Sequence, residues 1–313
     1  MKVLVYGCGV IGSIIAVHLQ DSGQDVFVLD KAPRLDQIRS NGLVIHDIYR
    51  KARRISKVKT VSSLNPEYEF DLVIVAVQKT EIAEILLDIK ENGNAKLFLV
   101  LTNNPSGYRF WLDAIGSDRL LVGFPGAGGI LRDHVVEYTI APKLIQPTTL
   151  GEPSGAVSPR VREIAELIRR AGIPVATCNN MDAWQKYHVA WVSPLANAIR
   201  IAEGSGKNLA DDPALVDHLL NAIRESMGCL RNLGYPVHPR MLVAFLWIPK
   251  SILRLALRHW FKSRHFDLII VRHAEAAKQE LALISKELLD VVKPSQQATD
   301  SLKYLHQAAI ETH

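Results

Sequence analysis

The chain has 313 residues, of which 48% are hydrophobic and 22% charged, a composition typical of a soluble globular protein. Its length allows two domains that each bury a hydrophobic core. The net charge of +5 and the isoelectric point of about 9.0 suit an anionic cofactor or an acidic substrate. No nucleic-acid-binding motif accompanies this charge, so we expect a small-molecule substrate and no nucleic-acid partner.

The cysteines and the apolar segments bear on the cell compartment. Cys8, Cys178 and Cys229 lack metal-ligand spacing and cannot form a disulfide framework, which is typical of a reducing environment. The most apolar run, 241–249, is shorter than the ~18 residues that span a membrane. We therefore predict a cytoplasmic protein with no membrane span and no metal site.

The first half of the chain alternates β-rich runs with helical patterns, which predicts a parallel sheet covered by helices. The predicted strands lie at 2–6, 25–29, 71–77, 97–102, 119–124, 138–140, 144–145 and 174–177. A helix is predicted at 159–171, and long apolar-periodic helices dominate after residue 180. The predicted fold class is α/β: an N-terminal Rossmann-type, doubly wound parallel sheet over 1–178, then an all-helical domain over 179–313.

A glycine-rich turn follows the first predicted strand. Its sequence, Gly7-Cys8-Gly9-Val10-Ile11-Gly12, opens an apolar helical pattern, as the dinucleotide-binding fingerprint requires. The first glycine permits the turn, the second lets the backbone approach a pyrophosphate, and the third lets helix and strand pack closely. Amides at the helix start would face the phosphates. The sequence therefore predicts a dinucleotide site at the carboxyl ends of the strands, facing the second domain.

The end of the second predicted strand bears on the choice of cofactor. Asp30 lies eighteen positions after Gly12, and an acidic residue there usually binds the ribose hydroxyls and selects NAD. Its carboxylate would repel the 2′-phosphate of NADP. By itself, Asp30 favours NAD.

A helical pattern after residue 180 places four residues on one small, polar face, namely Lys186, Ala190, Ser193 and Asn197. A lysine on such a face could enter a cleft, where partial desolvation favours the release of its proton. Most lysines near a helix start are surface residues, and that alternative stays open.

The order of elements resembles that of the ketopantoate reductase family. Besides the glycine turn, the motifs that carry the resemblance are Asn41-Gly42-Leu43, the strand at 71–77, Leu101-Thr102-Asn103-Asn104, Trp184-Gln185-Lys186 and Arg272-His273-Ala274-Glu275. Members are NADPH-dependent reductases of a branched 2-oxo acid. The resemblance spans nearly the whole chain and implies a 2-dehydropantoate 2-reductase-like enzyme of pantothenate biosynthesis.

The resemblance also implies roles for the matched residues. Lys186 would be the general acid that protonates the carbonyl oxygen, and Glu275 would help to position and polarise that site. The cofactor-binding candidates are Gly7, Gly9, Val10, Ile11, Gly12, Asp30, Lys31, Gln78 and Asn104. The substrate-binding candidates are Ser193, Asn197 and Ser263.

Some positions depart from the family pattern. Ala190 and Ser193 stand where the family carries asparagines, and Gln78 stands where it carries a lysine. The segment 242–260 is longer and more apolar than the pattern. We therefore expect a reshaped substrate pocket. Lys31 stands where the family tends to carry an arginine for the 2′-phosphate, so the resemblance favours NADP, with NAD as the alternative.

Helical geometry limits two further interpretations. Twelve residues of continuous helix would separate Ser263 from Glu275 by ~18 Å, so both can serve one site only if Ser263 precedes the helix or the helix is broken. His188 and His273 fit ordinary core or hydrogen-bonded histidines better than an acid or base. The basic stretch 250–264 predicts a packed helix with a solvated cationic face, with a membrane-surface or partner-docking helix as the alternative.

Three functions remain open from the sequence. The first is a reductase of a 2-oxo acid or related carbonyl. The second is another two-domain dehydrogenase, which acts on an amino-acid or sugar-derived alcohol. The third is a non-catalytic dinucleotide-binding sensor. A homodimer is a further expectation, because helical second domains often pair through exposed apolar faces.

Overall fold

The computed structural model describes residues 1–312, without the side chains of His265, Leu268 and Ile269. The chain divides into two compact units. The first comprises Met1–Thr102 and Tyr108–Met181, and the second comprises Asn103–Gly107 and the chain from Asp182 onwards. The short segment Asn103–Gly107 therefore packs with the second unit although the first unit flanks it in sequence.

The described part of the first unit contains twelve strands and five helices. The strands are β1 (Lys2–Tyr6), β2 (Asp25–Leu29), β3 (Leu43–Asp47), β4 (Ala52–Ser56), β5 (Lys59–Val61), β6 (Phe70–Val75), β7 (Ala95–Val100), β8 (Leu120–Phe124), β9 (Ala127–Arg132), β10 (Val135–Ile140), β11 (Thr148–Gly151) and β12 (Val175–Thr177). The helices are α1 (Val10–Asp21), α2 (Arg34–Asn41), α3 (Ile82–Asn92), α4 (Arg109–Ile115) and α5 (Pro159–Arg170).

Eight strands form one sheet in the order β12-β11-β8-β7-β6-β1-β2-β5. Neighbouring strands in this sheet are parallel except β8 and β11, which are antiparallel. β1 and β6 are continuous apolar runs because helices cover both faces of a parallel sheet, and residues 3–5 and 72–75 are almost completely buried. The predicted Rossmann-type α/β fold, with a helical second half, is confirmed.

A second, four-stranded sheet has the order β4-β3-β10-β9. The prediction at 138–140 is confirmed as part of β10, but this strand belongs to the smaller sheet. Strands β3, β4, β5 and β9 were not predicted. Three of them lack a long buried apolar run, since their residues are mostly exposed or half-buried.

The prediction of a strand at 144–145 is wrong. Leu144 and Ile145 lie in a turn, where the Ile145 amide donates to the Pro142 carbonyl, and both side chains are exposed. Prolines at 142 and 147 flank the turn and cannot donate the hydrogen bonds of a sheet. The strand that joins the large sheet follows them as β11.

The described residues of the second unit are helical and contain no strand. The helices are α6 (Met181–Ile201), α7 (Gly206–Asp211), α8 (Pro213–Asn232), α9 (Leu242–Trp247), α10 (Lys250–Phe261), α11 (Arg264–Phe266), α12 (Arg272–Ala276), α13 (Lys278–Val292) and α14 (Asp300–Glu311), with a π-helical segment (Asp267–Val271) and a 3₁₀ turn (Lys293–Ser295). Their apolar faces share one buried core, to which α8 contributes Leu219, Leu220 and Ile223. Among residues 1–312, no helix is both long and apolar enough to cross a membrane.

Candidate functional site

The glycine turn joins β1 to α1 in the way its sequence predicts. Gly7 has φ +91°, a conformation that favours glycine, and a Cβ there would lie 2.8 Å from the Ala76 carbonyl oxygen. A Cβ on Gly12 would overlap the Gly7 carbonyl oxygen and would lie 3.2 Å from the Val5 side chain. These two glycines therefore let α1 and β1 pack closely.

Gly9 lies in a different environment from the other two glycines. A Cβ on Gly9 would have no atom within 4 Å, so the space above its backbone is open. The residues therefore fit a dinucleotide: the backbone of the turn can be approached at Gly9, and α1 begins at Val10 with its first amides free of intrahelical partners.

Side chains from outside the turn form hydrogen bonds with the backbone of Cys8. The Cys8 amide donates to Asp30 Oδ2 over 2.5 Å, and its carbonyl accepts from Arg34 Nε and Ser13 Oγ, each over 2.9 Å. Arg34 is half-buried, and its Nη2 also donates to Ser13 Oγ. Asp30, the candidate for the ribose hydroxyls, and Arg34 thus both contact the backbone of the turn.

The two remaining cofactor candidates of the first unit are exposed. Lys31 Nζ lies 2.7 Å from Glu84 Oε2, and both side chains are more than half exposed. Such a surface pair contributes little, so Lys31 can exchange its partner at small cost. Gln78 follows β6, and the adjacent Val77 side chain lies against Gly7. β6 pairs with β1 in parallel register, which brings the chain at Gln78 beside the glycine turn.

Lys186 is buried rather than exposed, with 3% of its surface accessible. It lies in the second turn of α6, where its ammonium binds the carboxylate of Asp182 one turn earlier. The same ammonium lies 4.7 Å from the centroid of the Tyr235 ring. A buried ammonium requires a compensating charge, and Asp182 supplies it.

The face that Lys186 shares with Ala190, Ser193 and Asn197 is buried along its length. Ser193 Oγ is buried and has no hydrogen-bond partner among the described residues. Asn197 Nδ2 donates to Ser285 Oγ over 2.9 Å, and Ser285 Oγ lies 2.9 Å from Nδ1 of His306. Ser193 therefore offers an unpaired hydroxyl, whereas the Asn197 amide is already hydrogen-bonded.

Glu275 is exposed and lies apart from Lys186. Its Oε2 is 2.7 Å from Lys278 Nζ. With Asn197, Arg200 and others, it lines a small surface pocket that Lys186 does not line. Lys186 and Asn197 are separated by ~16 Å along α6, since each residue adds about 1.5 Å. The structure therefore groups Glu275 with Asn197 and not with Lys186.

Ser263 precedes α11 and caps it, because its Oγ accepts from the Phe266 amide over 3.2 Å. The chain then remains helical through the π-helical segment Asp267–Val271 to α12, which carries Glu275. Ser263 and Glu275 thus lie at opposite ends of an irregular helical stretch. That Ser263 and Glu275 contribute to the same site stays a prediction.

Two polar residues that the sequence analysis assigned no role lie together in the second unit. Asn103 Nδ2 donates to Glu280 Oε1 over 3.1 Å, and Glu280 is buried with 6% of its surface accessible. Asn103 Oδ1 is buried without a hydrogen-bond partner. The neighbouring candidate, Asn104, is also buried, but its amide donates to the Gly107 carbonyl over 2.7 Å within the same short segment.

The signal that could have identified Asn103 is its place beside Asn104 in the motif Leu101-Thr102-Asn103-Asn104. No sequence signal distinguishes Glu280 from the other glutamates of a strongly helical run. Its burial follows from packing between elements distant in sequence.

Two histidines extend the region around Glu280. The His188 ring stacks on Trp184, with ring centroids 5.1 Å apart and planes 10° apart. Burial, with a smaller contribution from the nearby His273, lowers the pKa of His188 to about 3. The His273 ring is accessible to water, but surrounding protein lowers its pKa, while Glu280 acts in the opposite direction. Both rings are therefore neutral at pH 7.

Among the described residues, no group of three or more His, Cys, Asp and Glu side chains could hold a metal ion. The fold and the glycine turn instead define a Rossmann-type, dinucleotide-binding class of protein. Residues 3–132 match the family model of ketopantoate reductase PanE/ApbA. The resemblance to the ketopantoate reductase family is therefore confirmed, and the matched residues belong to the first unit except for Asn103–Gly107.

Two curated relatives extend the comparison beyond residue 132. An uncharacterized oxidoreductase, YkpB of Bacillus subtilis (strain 168), is 26% identical over 193 residues, which are 60% of this chain and 61% of that protein. The chain thus matches about three fifths of that relative's length. A 2-dehydropantoate 2-reductase of Pyrococcus abyssi is 22% identical over 241 residues, 73% of each chain.

Solved structures share the fold over the full length at low sequence identity. A 2-dehydropantoate 2-reductase from Geobacter metallireducens has a TM-score of 0.81 at 15% identity and covers 100% of both chains. A D-mandelate dehydrogenase, solved with NADH and anilino(oxo)acetate, has a TM-score of 0.77 at 14% identity, covering 100% of this chain and 98% of that chain.

Proposed function

We propose that this protein is an NAD(P)H-dependent reductase of a 2-oxo acid, with NADP as the preferred cofactor. The observation that carries the proposal is Lys186, a buried ammonium fixed by Asp182 and Tyr235. The glycine turn, open at Gly9, supports the binding of a nicotinamide dinucleotide. The family match and the relatives named as reductases support the reaction class.

When bound, the dinucleotide would supply the hydride that reduces the carbonyl carbon. The chain's own part is to hold and protonate the substrate. Lys186 Nζ donates a proton to the carbonyl oxygen, so that a 2-oxo acid becomes a 2-hydroxy acid. Asp182 compensates the ammonium charge before transfer, and solvent restores the proton afterwards. Precise positioning of the donor is the main contribution the protein makes to the rate.

Further residues would bind the two ligands. The Gly7–Gly12 turn and the first amides of α1 bind the pyrophosphate, and Lys31 leaves Glu84 to bind a 2′-phosphate. Gln78 and Asn104 remain cofactor candidates. Ser193 supports substrate binding through its unpaired hydroxyl. We keep Ser263 as a substrate-binding residue, as the family resemblance implies. Asn197 and Glu275 line a pocket that Lys186 does not line, so we do not assign them to the carbonyl. A cytoplasmic site of action in pantothenate biosynthesis belongs to the same proposal.

The test is the loss of nicotinamide absorbance with NADPH and with NADH, on a panel of ketopantoate, other branched 2-oxo acids and simple ketones. Lys186→Ala should lower kcat by about 10² to 10⁴-fold, the typical contribution of a positioned acid. Lys303→Ala, which removes an exposed lysine of α14 in the same unit, is the matched control and should retain kcat. Dinucleotide binding without turnover on any carbonyl would refute the proposal and favour the sensor.

A second candidate is a dehydrogenase of another 2-hydroxy acid. Two observations favour it: Ala190 and Ser193 replace the family's asparagines, and the fold matches a D-mandelate dehydrogenase solved with NADH. An aromatic 2-oxo acid, phenylglyoxylate, therefore joins the panel. Preference for phenylglyoxylate with NADH over ketopantoate with NADPH would decide for this candidate.

A further inference from the structure

The Lys186 ammonium has a hydrogen-bond donor to spare. An ammonium carries three N–H donors. Asp182 accepts one of them, and the Tyr235 ring lies 4.7 Å from Nζ. Among the described residues, Lys186 donates no other side-chain hydrogen bond. At least one donor is therefore left for the carbonyl oxygen of a bound substrate, and the groups beside Nζ are the ones that meet the rest of that substrate.

Tyr235 owes its position to the way in which α8 ends. Leu233 follows the last helical residue, and Gly234 adopts φ +85°, a left-handed conformation that favours glycine. The Gly234 amide donates to the Arg231 carbonyl and the Tyr235 amide to the Leu230 carbonyl, each over 3.0 Å. This pair of hydrogen bonds is the Schellman motif, which ends a helix in a tight turn. The local sequence therefore fixes the Tyr235 backbone at the end of α8.

A further hydrogen bond, from α6, also holds the Tyr235 backbone. Tyr187 follows Lys186 in α6 and is completely buried, and its hydroxyl donates to the Tyr235 carbonyl over 3.0 Å. Burial raises the pKa of Tyr187 to about 12, so its hydroxyl remains a donor at neutral pH. Because Tyr187 and Lys186 are consecutive residues of one helix, this bond holds Tyr235 beside the lysine. The contact between the ring and the ammonium is thus built into the second unit.

The hydroxyl of Tyr235 is an unused donor. Tyr235 is half-buried, and its hydroxyl makes no hydrogen bond with the described residues. Burial raises the pKa of Tyr235, and the carboxylate of Asp182 raises it further. The hydroxyl is therefore protonated at pH 7 and lies close to the carboxylate that binds Lys186. A phenol removed from water usually finds a hydrogen-bond partner, so this donor is suited to a ligand.

The helix face that Lys186 occupies offers few other donors. Ala190, one turn later, has no polar side-chain atom, and Ser193 has a single hydroxyl. A 2-oxo acid carries its carboxylate on the carbon next to the carbonyl, and a carboxylate that leaves water must find hydrogen-bond donors. When Lys186 binds the carbonyl oxygen, the carboxylate needs another donor close to Nζ. The Tyr235 hydroxyl is such a donor.

We propose that the Tyr235 hydroxyl donates a hydrogen bond to the carboxylate of the 2-oxo acid whose carbonyl oxygen accepts from Lys186. This inference rests on the proposed reductase function, and it names the residue that makes an acid, rather than a neutral ketone, the preferred substrate. A hydrogen bond from a phenol to an anion is stronger than one between neutral groups. It also orients the substrate, because the two donors bind adjacent groups of the same molecule.

The test compares a branched 2-oxo acid with its methyl ester, which keeps the carbonyl but lacks the anionic carboxylate. Tyr235→Phe removes only the hydroxyl and should lower kcat/KM for the acid about tenfold or more, the effect of losing one hydrogen bond to a charged group. The loss should appear mainly in KM, because the bond is made before and during the reaction. For the ester, kcat/KM should change by no more than about threefold, since a neutral hydrogen bond is weaker.

Tyr304→Phe is the matched control, because it removes an exposed tyrosine hydroxyl from α14 of the same unit, and it should leave both values unchanged. Thermal unfolding checks that the variants fold; Tyr235→Phe should melt with the wild type, since the backbone contacts of Tyr235 are retained. Equal losses on acid and ester in Tyr235→Phe, or no loss on either, would overturn this inference while the reductase function stands. A wild type that reduces neither compound with NADPH or NADH would refute the reductase function, and this inference with it.

Discussion

At the scale of single residues, the second unit buries two side chains that most proteins leave exposed, Lys186 and Glu280. Each lies beside a polar partner, Asp182 for the lysine and Asn103 for the glutamate. Burying a charge is costly unless it is paired, so such pairs are uncommon in structures that do not use them. Their presence in one unit is the residue-level basis of the proposed reductase.

Glu275 and Glu280 are both candidates for the glutamate that positions the substrate site. The family resemblance assigns the role to Glu275, whereas burial and the contact with Asn103 favour Glu280. If Glu280 positions Asn103 for the substrate, Glu280→Gln should lower kcat/KM by about tenfold or more, the effect of losing one charged hydrogen bond. Glu275→Gln is the matched variant, and kcat/KM is measured for both. A loss in Glu275→Gln alone would assign the role to Glu275.

The glycine turn gives a second pair of variants. Gly9→Ala adds a methyl group where no atom lies within 4 Å, so the melting temperature should change little while the dinucleotide dissociation constant rises about tenfold or more. Gly12→Ala places its methyl group against the Gly7 carbonyl and should destabilise the protein by about 1–3 kcal/mol.

Thermal unfolding measures the change in stability of each variant, and fluorescence titration with NADPH measures its dinucleotide dissociation constant. Equal affinity of Gly9→Ala and wild type for NADPH would show that the pyrophosphate does not approach this glycine.

At the scale of elements, β11 and α5 are joined by a buried ion pair. Glu152, directly after β11, accepts from Ser158 Oγ over 2.5 Å and from Arg160 Nε and Nη2 over 2.8 and 2.6 Å. Burial raises the pKa of Glu152, but the hydrogen bonds from Arg160 and Ser158 outweigh it and hold the pKa below its ordinary value. The pair therefore stabilises the fold above the unfolded-state pKa of Glu152, and this stability is lost as the pH falls through the folded-state pKa.

Glu152→Gln should therefore lower the free energy of unfolding by about 2 kcal/mol at pH 7. The difference from wild type should shrink as the pH falls below the unfolded-state pKa of Glu152 and towards its lowered folded-state pKa, where the wild-type carboxyl takes up a proton. Urea unfolding of both proteins at pH 7 and at about pH 4 measures this difference in the free energy of unfolding. Glu166→Gln on α5 removes an exposed carboxylate paired with Arg169 and Arg170, and should cost less than about 1 kcal/mol.

At the scale of the whole molecule, the pH dependence of stability reports on the buried histidines. The pKa of His188 is lowered to about 3 by burial, so the folded protein binds fewer protons than the unfolded chain below pH ~6.5. Folding stability therefore falls as the pH drops from about 6.5 towards 3. His188 alone should cost up to about 2 kcal/mol at pH 5.

His188→Gln should reduce this loss. The measurement is the urea midpoint at pH 7 and at pH 5 for wild type and variant. An identical pH dependence in the two proteins would contradict the burial of the His188 ring.

Much of the nucleotide-binding unit could be predicted from local sequence. Continuous apolar runs predicted β1, β2, β6, β7 and β8 because strands covered on both faces have few polar positions. The glycines at 7, 9 and 12 predicted the turn, since Gly7 and Gly12 lie against neighbouring backbone and Gly9 leaves the space above the turn open. The turn at Leu144 and Ile145 was missed because two apolar residues between prolines imitate a short strand.

The chain's sequence by itself determined the α/β class and the dinucleotide turn, because these depend on contacts between residues close in sequence or on simple periodicity. The sequence left open whether Lys186 is exposed, and the structure buries it. Only the tertiary structure decided that Asn103 meets Glu280, 177 positions away. It also decided that Glu275 lines a pocket that Lys186 does not line, and that the cations of α10 contact α7 and α8. These contacts depend on which helices pack together. Helix packing is driven by burial of apolar surface, and because the hydrophobic effect is non-directional, the choice of neighbouring helices leaves no short-range pattern in the sequence.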